Sequence, residues 1–193
     1  MIKKAEEQDL RVVQQIVHET VKEIYPLYYP DGVVDFFLAH HSEENILKDV
    51  NNGGVFLIYN DEDVVAGTGT KHGEEMNRVF ILPEFQGKGY GKRMMNYLEG
   101  SIGMEYDEVY LDSSLPVFNI YLKRGYQSVD YFEEVVGGNQ VLCYHRMKKS
   151  LPKTRRSGEP DRKKETGKLI LRETWRWLNR DKSEGSSIIE ELN

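Results

Sequence analysis

The chain has 193 residues, of which 39% are hydrophobic and 30% charged, and its net charge is −6. This length and composition predict one soluble globular domain, or one domain with an appendage. No apolar run approaches the ~20 residues that a membrane-spanning helix needs. The single cysteine, Cys143, excludes an internal disulfide, and the N-terminal MIKKAEEQDL has no apolar signal region. Together these features favour the cytoplasm.

Charge divides the chain into two parts. Residues 1–149 hold 15 Lys and Arg against 24 Asp and Glu, a net charge of −9, whereas residues 150–193 hold 11 against 8, a net charge of +3. An acidic main part favours encounter with cationic small molecules over nucleic acid. We therefore expect a folded domain over 1–149, followed by a basic linker and a helical tail over 150–193.

The predicted elements of the first half begin with a strand and two helical regions. Apolar residues recur at helical spacing from Leu10 to Ile24, and Pro26 would end that helix. The elements, in order, are a strand over 2–5, a helix over 9–25, a second helical region over 33–50 that is broken near 40–42, and three strands over 55–59, 64–71 and 74–82.

The second half alternates helices with strands and closes on a hairpin. Ser114 is placed to cap a helix, Gly125 suits the left-handed end of that helix, and the glycines at 137 and 138 are a hairpin signal. The predicted elements are a helix over 90–101, a strand over 109–112, a helix over 114–124, and two strands over 127–136 and 140–148. The whole order is β-α-α-β-β-β-α-β-α-β-β.

One stretch combines a strand, a glycine-rich loop and the start of a helix. Residues 76–91 read MNRVFILPEFQGKGYG, so an apolar strand ends at Pro83 and is followed by Gly87, Gly89 and Gly91. Glycine lets a ligand approach the main chain closely, and the first amides of a helix have no partner inside it. Such a loop favours an anion, most often a phosphate, although a simple strand-to-helix turn has the same pattern.

The loop differs from two familiar phosphate-binding patterns and matches a third. It lacks the G-x-x-x-x-G-K-[ST] of a P-loop, and its G-x-G-x-G lies deep in the chain, unlike a dinucleotide fingerprint. Gln86, Gly89 and Gly91 fill the fixed places of [RQ]-x-x-G-x-[GA], the acyl-CoA pyrophosphate loop of the GNAT superfamily of N-acetyltransferases. A preceding strand that ends in x-P-E-[FY] is also typical of that family, which the chain resembles over 1–149.

The resemblance implies an α/β (α+β) protein with the GNAT fold. Its central sheet would be mixed but mostly antiparallel, with about six or seven strands and about four flanking helices, and a C-terminal helical extension would follow. The predicted element order and length agree with this architecture. The implied co-substrate is acetyl-CoA, and we expect no metal.

The resemblance also assigns an acyl-CoA site. The amides of 86–90 would face the pyrophosphate, with the last two loop residues at the helix start. The backbone amide of Ile81 would stabilise negative charge on the thioester oxygen, and Phe80 and Leu82 would flank the pantetheine arm. The implied cofactor-binding residues of the loop are Gln86, Gly87, Lys88, Gly89, Tyr90, Gly91 and Lys92.

A second motif resembles the part of the family that supplies a proton. The stretch SLPVFNIYLKRGY is similar to N-x-x-A-x-x-x-Y-x-[KR]-x-G-[FY], and Tyr121 falls on the tyrosine that protonates the CoA sulfur. A phenol with a pKa of ~10 starts protonated at neutral pH. Ser114 stands where the family often has Asn, so Asn119 is a candidate to replace that cofactor contact. The alternative interpretation is that Tyr121, one of 12 tyrosines in the chain, only packs a helix face.

The attacking amine must lose a proton to a base. Glu75 is the leading candidate, because relatives often carry Glu at the start of the central strand, six residues before Ile81. Glu74 on the opposite strand face, His72 at the end of the neighbouring strand, and water are the alternatives. The alternative interpretation is that Glu74 and Glu75 are both solvated loop carboxylates.

The acceptor pocket of this fold lies between the first helices and the central strands. Loops that vary set its specificity, so the sequence does not name the acceptor. Aromatic residues around the first turn are candidates to line the pocket, although such a cluster is more often core: Tyr25, Tyr28, Tyr29, Phe36, Phe37 and His40.

The tail lies beyond the resemblance. Leu171, Trp175 and Leu178 fall on one face of a helix predicted over 169–179. This helix would dock on its own domain, cross to a second subunit in a homodimer, or bring cations to an acidic partner or nucleic acid. Docking or dimer exchange is favoured because Trp175 and Trp177 would be sticky if exposed, and interleaved acidic residues disfavour nucleic acid.

Two functions follow from these motifs. The first is an N-acetyltransferase that moves an acetyl group from acetyl-CoA to a primary amine of a small molecule or peptide by direct attack. The second is a non-catalytic GNAT domain that binds acyl-CoA and regulates a partner through its C-terminal helix. The loop, the position of the Ile81 amide and Tyr121 together favour the enzyme.

Overall fold

A computed structural model describes residues 1–152 of the chain. The strands in this part are β1 (Ile2–Lys4), β2 (Val55–Tyr59), β3 (Val65–His72), β4 (Glu75–Ile81), β5 (Glu108–Ser113), β6 (Gln127–Val136) and β7 (Gln140–Ser150). The α-helices are α1 (Leu10–Ile24), α2 (Asp31–His40), α3 (Glu43–Asn51), α4 (Tyr90–Ile102) and α5 (Phe118–Lys123). The predicted C-terminal linker and helix lie outside the described residues.

All seven strands belong to one sheet, in the order β1-β2-β3-β4-β5-β7-β6. Neighbouring strands are antiparallel except for β4 and β5, which are parallel and lie at the centre. This arrangement confirms the expected fold class, a mixed but mostly antiparallel sheet flanked by helices. The central parallel pair is the feature that positions the candidate site.

Each face of the sheet is covered by its own helices. The alternation of side chains along β2 shows this, because Val55 and Leu57 pack in a core with α1, α2 and α3, whereas Phe56 and Ile58 pack in a core with α4. Hydrophobic burial on both faces holds the sheet between two helical layers. The central strands β4 and β5 therefore lie between two helical layers.

Two predicted helices differ in detail from the structure. The helical region over 33–50 consists of α2 and α3, which are separated at His41 and Ser42 as the sequence indicated. The predicted helix over 114–124 is shorter, because Leu115–Val117 forms a 3-10 turn and α5 begins at Phe118. The prediction that Ser114 caps this helix with its side chain is wrong, since its hydroxyl bonds instead to the phenol of Tyr25 at 3.0 Å.

Candidate active site

The pairing of β3 with β4 contains one irregularity. Thr70 pairs with Asn77 and Thr68 pairs with Phe80, so β4 carries one residue more than β3 between these two pairs. The irregularity is a β-bulge, which inserts an unpaired residue and bends the strand. It includes Arg78, whose φ of 45° lies in the left-handed region that residues with side chains rarely adopt.

The bulge decides which amides of β4 bond to β3. Beyond it, the N–H of Leu82 donates to the carbonyl of Ala66 over 3.0 Å. Without the additional residue, Ile81 would stand opposite Ala66 and its own N–H would make that bond. Because the amides of successive residues in a strand point to opposite sides, the N–H of Ile81 points away from β3.

The strand on the other side does not reach this amide. Within residues 1–152, the only residue pair between β4 and β5 is Glu75 with Tyr110, at the start of β4. There the N–H of Tyr110 donates to the carbonyl of Glu74 over 3.0 Å. Since the strands make no further pair toward their C-terminal ends, a gap opens where the Ile81 amide points.

The glycine-rich loop follows directly and leaves its main chain uncovered. Gly87 and Gly89 have φ values of 73° and 86°, and a Cβ added at either position would meet no atom within 4 Å. Gly89 is the residue that precedes the first turn of α4. The side-chain amide of Gln86 donates to the carbonyl of Ile81 over 2.9 Å, so the loop is tied to the end of β4.

Positive charge surrounds the open loop. Lys88, Lys92 and Arg93 are exposed. The Lys88 ammonium lies 5.5 Å from the ring of Phe85, and the Arg93 guanidinium lies 5.6 Å from the ring of Tyr90. The N-terminus of α4 adds unpaired amides and the positive end of its dipole. The open backbone, the helix start and these cations fit a phosphate or pyrophosphate.

Tyr121 lies half-buried on α5, where its ring makes an edge contact with Tyr126 at 5.5 Å between centroids. Burial raises the pKa of its phenol above the usual 10, and the nearby phenol of Tyr25 raises it further. Tyr121 therefore stays protonated at neutral pH. Tyr25 is in turn bonded to Ser114, which directly follows β5, and Asn119 is exposed on α5.

Glu75 is buried and takes part in a charged network that the sequence did not reveal. Its carboxylate forms an ion pair with Arg146 on β7. Arg146 also donates to both carboxylate oxygens of Asp112 over 3.2 Å, and its guanidinium lies 5.4 Å from the ring of Tyr110. Glu75 and Arg146 are 71 residues apart in the sequence. No local pattern could have signalled that pair.

The candidate bases all lie at the far end of the central strands from Ile81. Six residues of strand separate Glu75 from Ile81, a distance of about 20 Å at roughly 3.3 Å per residue. Glu74 is half-buried, and its pKa is raised mainly by burial and next by the charge of Glu75. His72 is exposed at the end of β3. None of these groups can touch a reacting atom at Ile81 directly.

A cleft of about 510 Å³ lies between α2 and the turn that joins β6 to β7. Of the aromatic residues predicted for the acceptor pocket, Phe36 lines this cleft. The ring of His40 stacks on the ring of Phe36, with 5.8 Å between the centroids. Tyr28 is 50% exposed, whereas Tyr25, Tyr29 and Phe37 pack in the core. The cleft is lined by Gly32, Asp35, Phe36, Ala39, Gly137, Gly138 and Gln140.

Two kinds of feature are absent from residues 1–152. No three His, Cys, Asp or Glu side chains in this part of the chain are grouped so that they could hold a metal ion. No helix there is both long and apolar enough to span a bilayer.

Comparison with known families decides the classification. The family model described as an acetyltransferase (GNAT) domain matches residues 24–151, well over half of the chain. The chain belongs to the GNAT acetyltransferase family. Among proteins with curated descriptions, no sequence matches it. The membership agrees with the resemblance seen in the loop and in the motif around Tyr121.

Solved structures of GNAT proteins share the fold. A GCN5-related N-acetyltransferase from Rhodopseudomonas palustris has a TM-score of 0.71 at 18% identity, with 78% of this chain and 95% of that chain covered. PaiA N-acetyltransferase from Thermoplasma acidophilum, in complex with coenzyme A, has a TM-score of 0.60 at 19% identity, with 78% and 98% covered. Phosphinothricin acetyltransferase from Sinorhizobium meliloti, in complex with acetyl-CoA, has a TM-score of 0.61 at 16% identity, with 83% and 92% covered.

Proposed function

We propose that this GNAT protein is an N-acetyltransferase that moves an acetyl group from acetyl-CoA to a primary amine of a small molecule or peptide, by direct attack of the amine on the thioester. The observation that carries the proposal is the amide of Ile81, which faces the gap between β4 and β5 beside the open glycine loop. The relatives from T. acidophilum and S. meliloti, whose structures contain coenzyme A and acetyl-CoA, support the choice of co-substrate.

The glycine loop is the proposed binding site for the pyrophosphate. Its amides and the N-terminus of α4 would bind phosphate oxygens, and the neighbouring cations would add charge. Because Gln86 bonds to the carbonyl of Ile81, the phosphate site and the Ile81 peptide are held together. Phe80 and Leu82 would flank the pantetheine arm. The proposed loop contacts are Gln86, Gly87, Lys88, Gly89, Tyr90, Gly91 and Lys92.

Ile81 contributes its backbone rather than its side chain. When an amine attacks a thioester, negative charge develops on the carbonyl oxygen. A fixed N–H aimed at that oxygen is worth about 3 kcal/mol of transition-state stabilisation. The amide of Ile81 can take this role because the bulge turns it away from β3.

Tyr121 is the proposed donor of a proton to the departing CoA thiolate. A phenol is protonated at neutral pH, so a proton is available at Tyr121 when the thiolate forms. Ser114 and Asn119 are proposed as further cofactor contacts. Ser114 directly follows β5, and its hydroxyl is already oriented by Tyr25.

Glu75 is the proposed final acceptor of the proton that the amine loses. The separation of about 20 Å along β4, at roughly 3.3 Å per residue, requires that water carry this proton to the carboxylate. Accepting it would weaken the ion pair with Arg146, and Asp112 would remain to balance that cation. The amine itself would enter by the cleft between α2 and the β6–β7 turn, where Asp35 favours a cation.

The experiment is a thiol-release assay with acetyl-CoA and a panel of small amines and peptides. We expect release that depends on both the amine and the protein. Substitution Tyr121→Phe should lower kcat by about 10²-fold or more, the usual contribution of a general acid. Tyr97→Phe is the matched control, because Tyr97 is an exposed tyrosine that contacts Phe56 on α4's side of the sheet.

The alternative function gives a different result in the same assay. A non-catalytic GNAT domain would bind acetyl-CoA but release no thiol with any amine. Unchanged turnover of Tyr121→Phe across the pH range would instead remove Tyr121 from the mechanism while leaving the reaction class intact.

A further inference from the structure

Arg78 occupies an unusual place for a charged residue. It is a non-glycine residue with φ of 45° in the middle of a central strand, and only 8% of its surface is exposed. Left-handed backbone at such a residue persists only where the surroundings fix it, and such positions cluster at functional sites. The contacts of its side chain should therefore explain why the bulge forms here.

The guanidinium of Arg78 contacts one residue of the joint between α2 and α3, which consists of His41 and Ser42, and one residue of α3 itself. Its Nε donates to Nδ1 of His41 over 2.9 Å, and its Nη1 forms an ion pair with Asp49. Side-chain exposure is 5% for Arg78 and 28% for Asp49. A planar guanidinium has fixed donor directions, so bonding at two points limits the positions that its own backbone can take.

His41, the first of these partners, is itself anchored. The backbone carbonyl of His41 bonds to Nε2 of His18 on α1 at 3.0 Å. The His41 ring packs on Phe80 at 5.5 Å, two residues beyond Arg78 in β4. Burial lowers the pKa of His41, so its ring stays neutral and Nδ1 remains free to accept from Arg78. The joint therefore contacts β4 at the bulge and directly beyond it.

We propose that Arg78 is a positioning residue, whose contacts with Asp49 and His41 fix the bulge and so aim the Ile81 amide at the thioester carbonyl. The proposal rests on the acetyltransferase function proposed above. The register makes the connection: with the additional residue, Leu82 bonds to Ala66, and without it Ile81 would do so. Arg78 need not touch the substrate to have this effect.

The test combines kinetics with infrared spectra of bound acetyl-CoA carrying a ¹³C-labelled carbonyl. A hydrogen bond from Ile81 should move the carbonyl stretch of the wild-type complex below that of free acetyl-CoA. In Arg78→Ala and Asp49→Asn, we expect the band to return toward the free value and kcat to fall about 10- to 100-fold. The Kd for acetyl-CoA should change less than threefold, because the glycine loop is intact.

Asp49→Asn guards against misfolding of the first variant, since Asp49 is partly exposed and Asn has the same shape. Arg78→Lys retains the charge but cannot contact His41 and Asp49 with two fixed donors. We therefore expect Arg78→Lys to be folded more stably than Arg78→Ala, with a kcat that stays low. Glu44→Gln is the matched control, because it removes an exposed ion pair with Lys48 from the same helix, α3. It should leave both the band and kcat unchanged.

The outcomes separate the two proposals. A shifted band in the wild type that stays shifted in Arg78→Ala and Asp49→Asn, with unchanged kcat, overturns the role of Arg78 and leaves the acetyltransferase function standing. If acetyl-CoA does not bind the wild type, the function fails and the role of Arg78 fails with it. A lost shift with lowered kcat in both variants, beside a normal Glu44→Gln, supports the proposal.

Discussion

The molecule presents backbone amides at two neighbouring places that are built in different ways. In the glycine loop, Gly87 and Gly89 expose the main chain to open space, and the positive φ values need no side chain to hold them. At the end of β4, the Ile81 amide depends on a left-handed Arg78 that is buried against Asp49 and His41. The first place is set by residue type, and the second by tertiary contacts.

This difference predicts which property a substitution in each region should change. Changes in the loop should weaken binding of acetyl-CoA, because the proposed phosphate site depends on an open backbone. Changes around the bulge should alter the position of the Ile81 amide and the stability of the fold together, because the same buried contacts serve both. The following predictions use this contrast, from the largest expected effect to the smallest.

Substitution Gly89→Val should have the largest effect on binding. A β-branched residue does not adopt a φ of 86° without strain, and its side chain would enter the open space that the loop keeps free. We expect the Kd for acetyl-CoA, measured by calorimetry, to rise about 100-fold, equivalent to about 2.7 kcal/mol. Turnover at saturating acetyl-CoA should change little.

Gly100→Ala is the control for that substitution. Gly100 lies in α4 with nothing within 4 Å of an added Cβ, and its φ is not positive. It should bind acetyl-CoA as the wild type does. Equal affinity of Gly89→Val and the wild type would mean that the loop is only a turn between β4 and α4.

Substitution Gly67→Ala should damage the second region. A Cβ there would lie 2.5 Å from the carbonyl oxygen of Phe80 and 3.2 Å from the Cα of Ile81, so the backbone of β4 would have to shift. Overpacking of this kind costs about 2 to 3 kcal/mol, which denaturant unfolding would measure. We also expect kcat to fall, because the shift displaces the Ile81 peptide. Unchanged kcat in a destabilised protein would separate the amide from the reaction.

The glycine loop could be predicted from the sequence because its signal is local. Three glycines, a preceding strand and a following helix lie within a short stretch, and each acts through its own backbone preference. Gln86 was identified by its motif place, and the structure adds that it bonds to the carbonyl of Ile81. The order of helices and strands along the chain could be predicted for the same reason, since hydrophobic period and turn residues are local.

The bulge and the charged networks could not be predicted in this way. Nothing in the residues around Arg78 signals a left-handed backbone, because its partners lie 29 and 37 residues earlier. Glu75 was expected as an available carboxylate, and its ion pair with Arg146 depends on β7, which follows much later in the chain. Contacts of this kind exist only once the sheet has formed.

Histidine titration should lower stability in mild acid. Burial and the charge of Arg78 lower the pKa of His40 to about 4, with Asp49 opposing, and burial, His40, Arg78 and His18 lower that of His41. The unfolded chain then binds the proton more tightly, so stability is complete above about pH 6.5 and falls below it. One such histidine should remove about 2 kcal/mol by pH 5, at roughly 1.4 kcal/mol per unit.

Unfolding free energies measured from pH 7 to 5 would check this expectation. His40→Gln should flatten the dependence, because glutamine does not titrate. His72→Gln, at an exposed histidine, should leave it unchanged. If the unfolding free energy of His40→Gln falls with pH as steeply as that of the wild type, the pKa of His40 is not lowered in the folded protein.

The smallest expected effect is that of salt on binding. Lys88, Lys92 and Arg93 are exposed, so added salt screens their attraction for phosphates. We expect the Kd for acetyl-CoA to rise about threefold between 50 and 200 mM salt, equivalent to less than about 1 kcal/mol. S-acetylpantetheine, which carries no phosphate, is the control and should show no such dependence.

The most direct test of the central claim is a calorimetric titration of the whole chain with acetyl-CoA beside S-acetylpantetheine. If the glycine loop and the Ile81 amide form one acyl-CoA site, acetyl-CoA should bind with micromolar or tighter affinity and the fragment at least 100-fold more weakly. Equal affinities would show that the loop does not bind the pyrophosphate. Absence of heat with both ligands would contradict the claim that this site binds acyl-CoA.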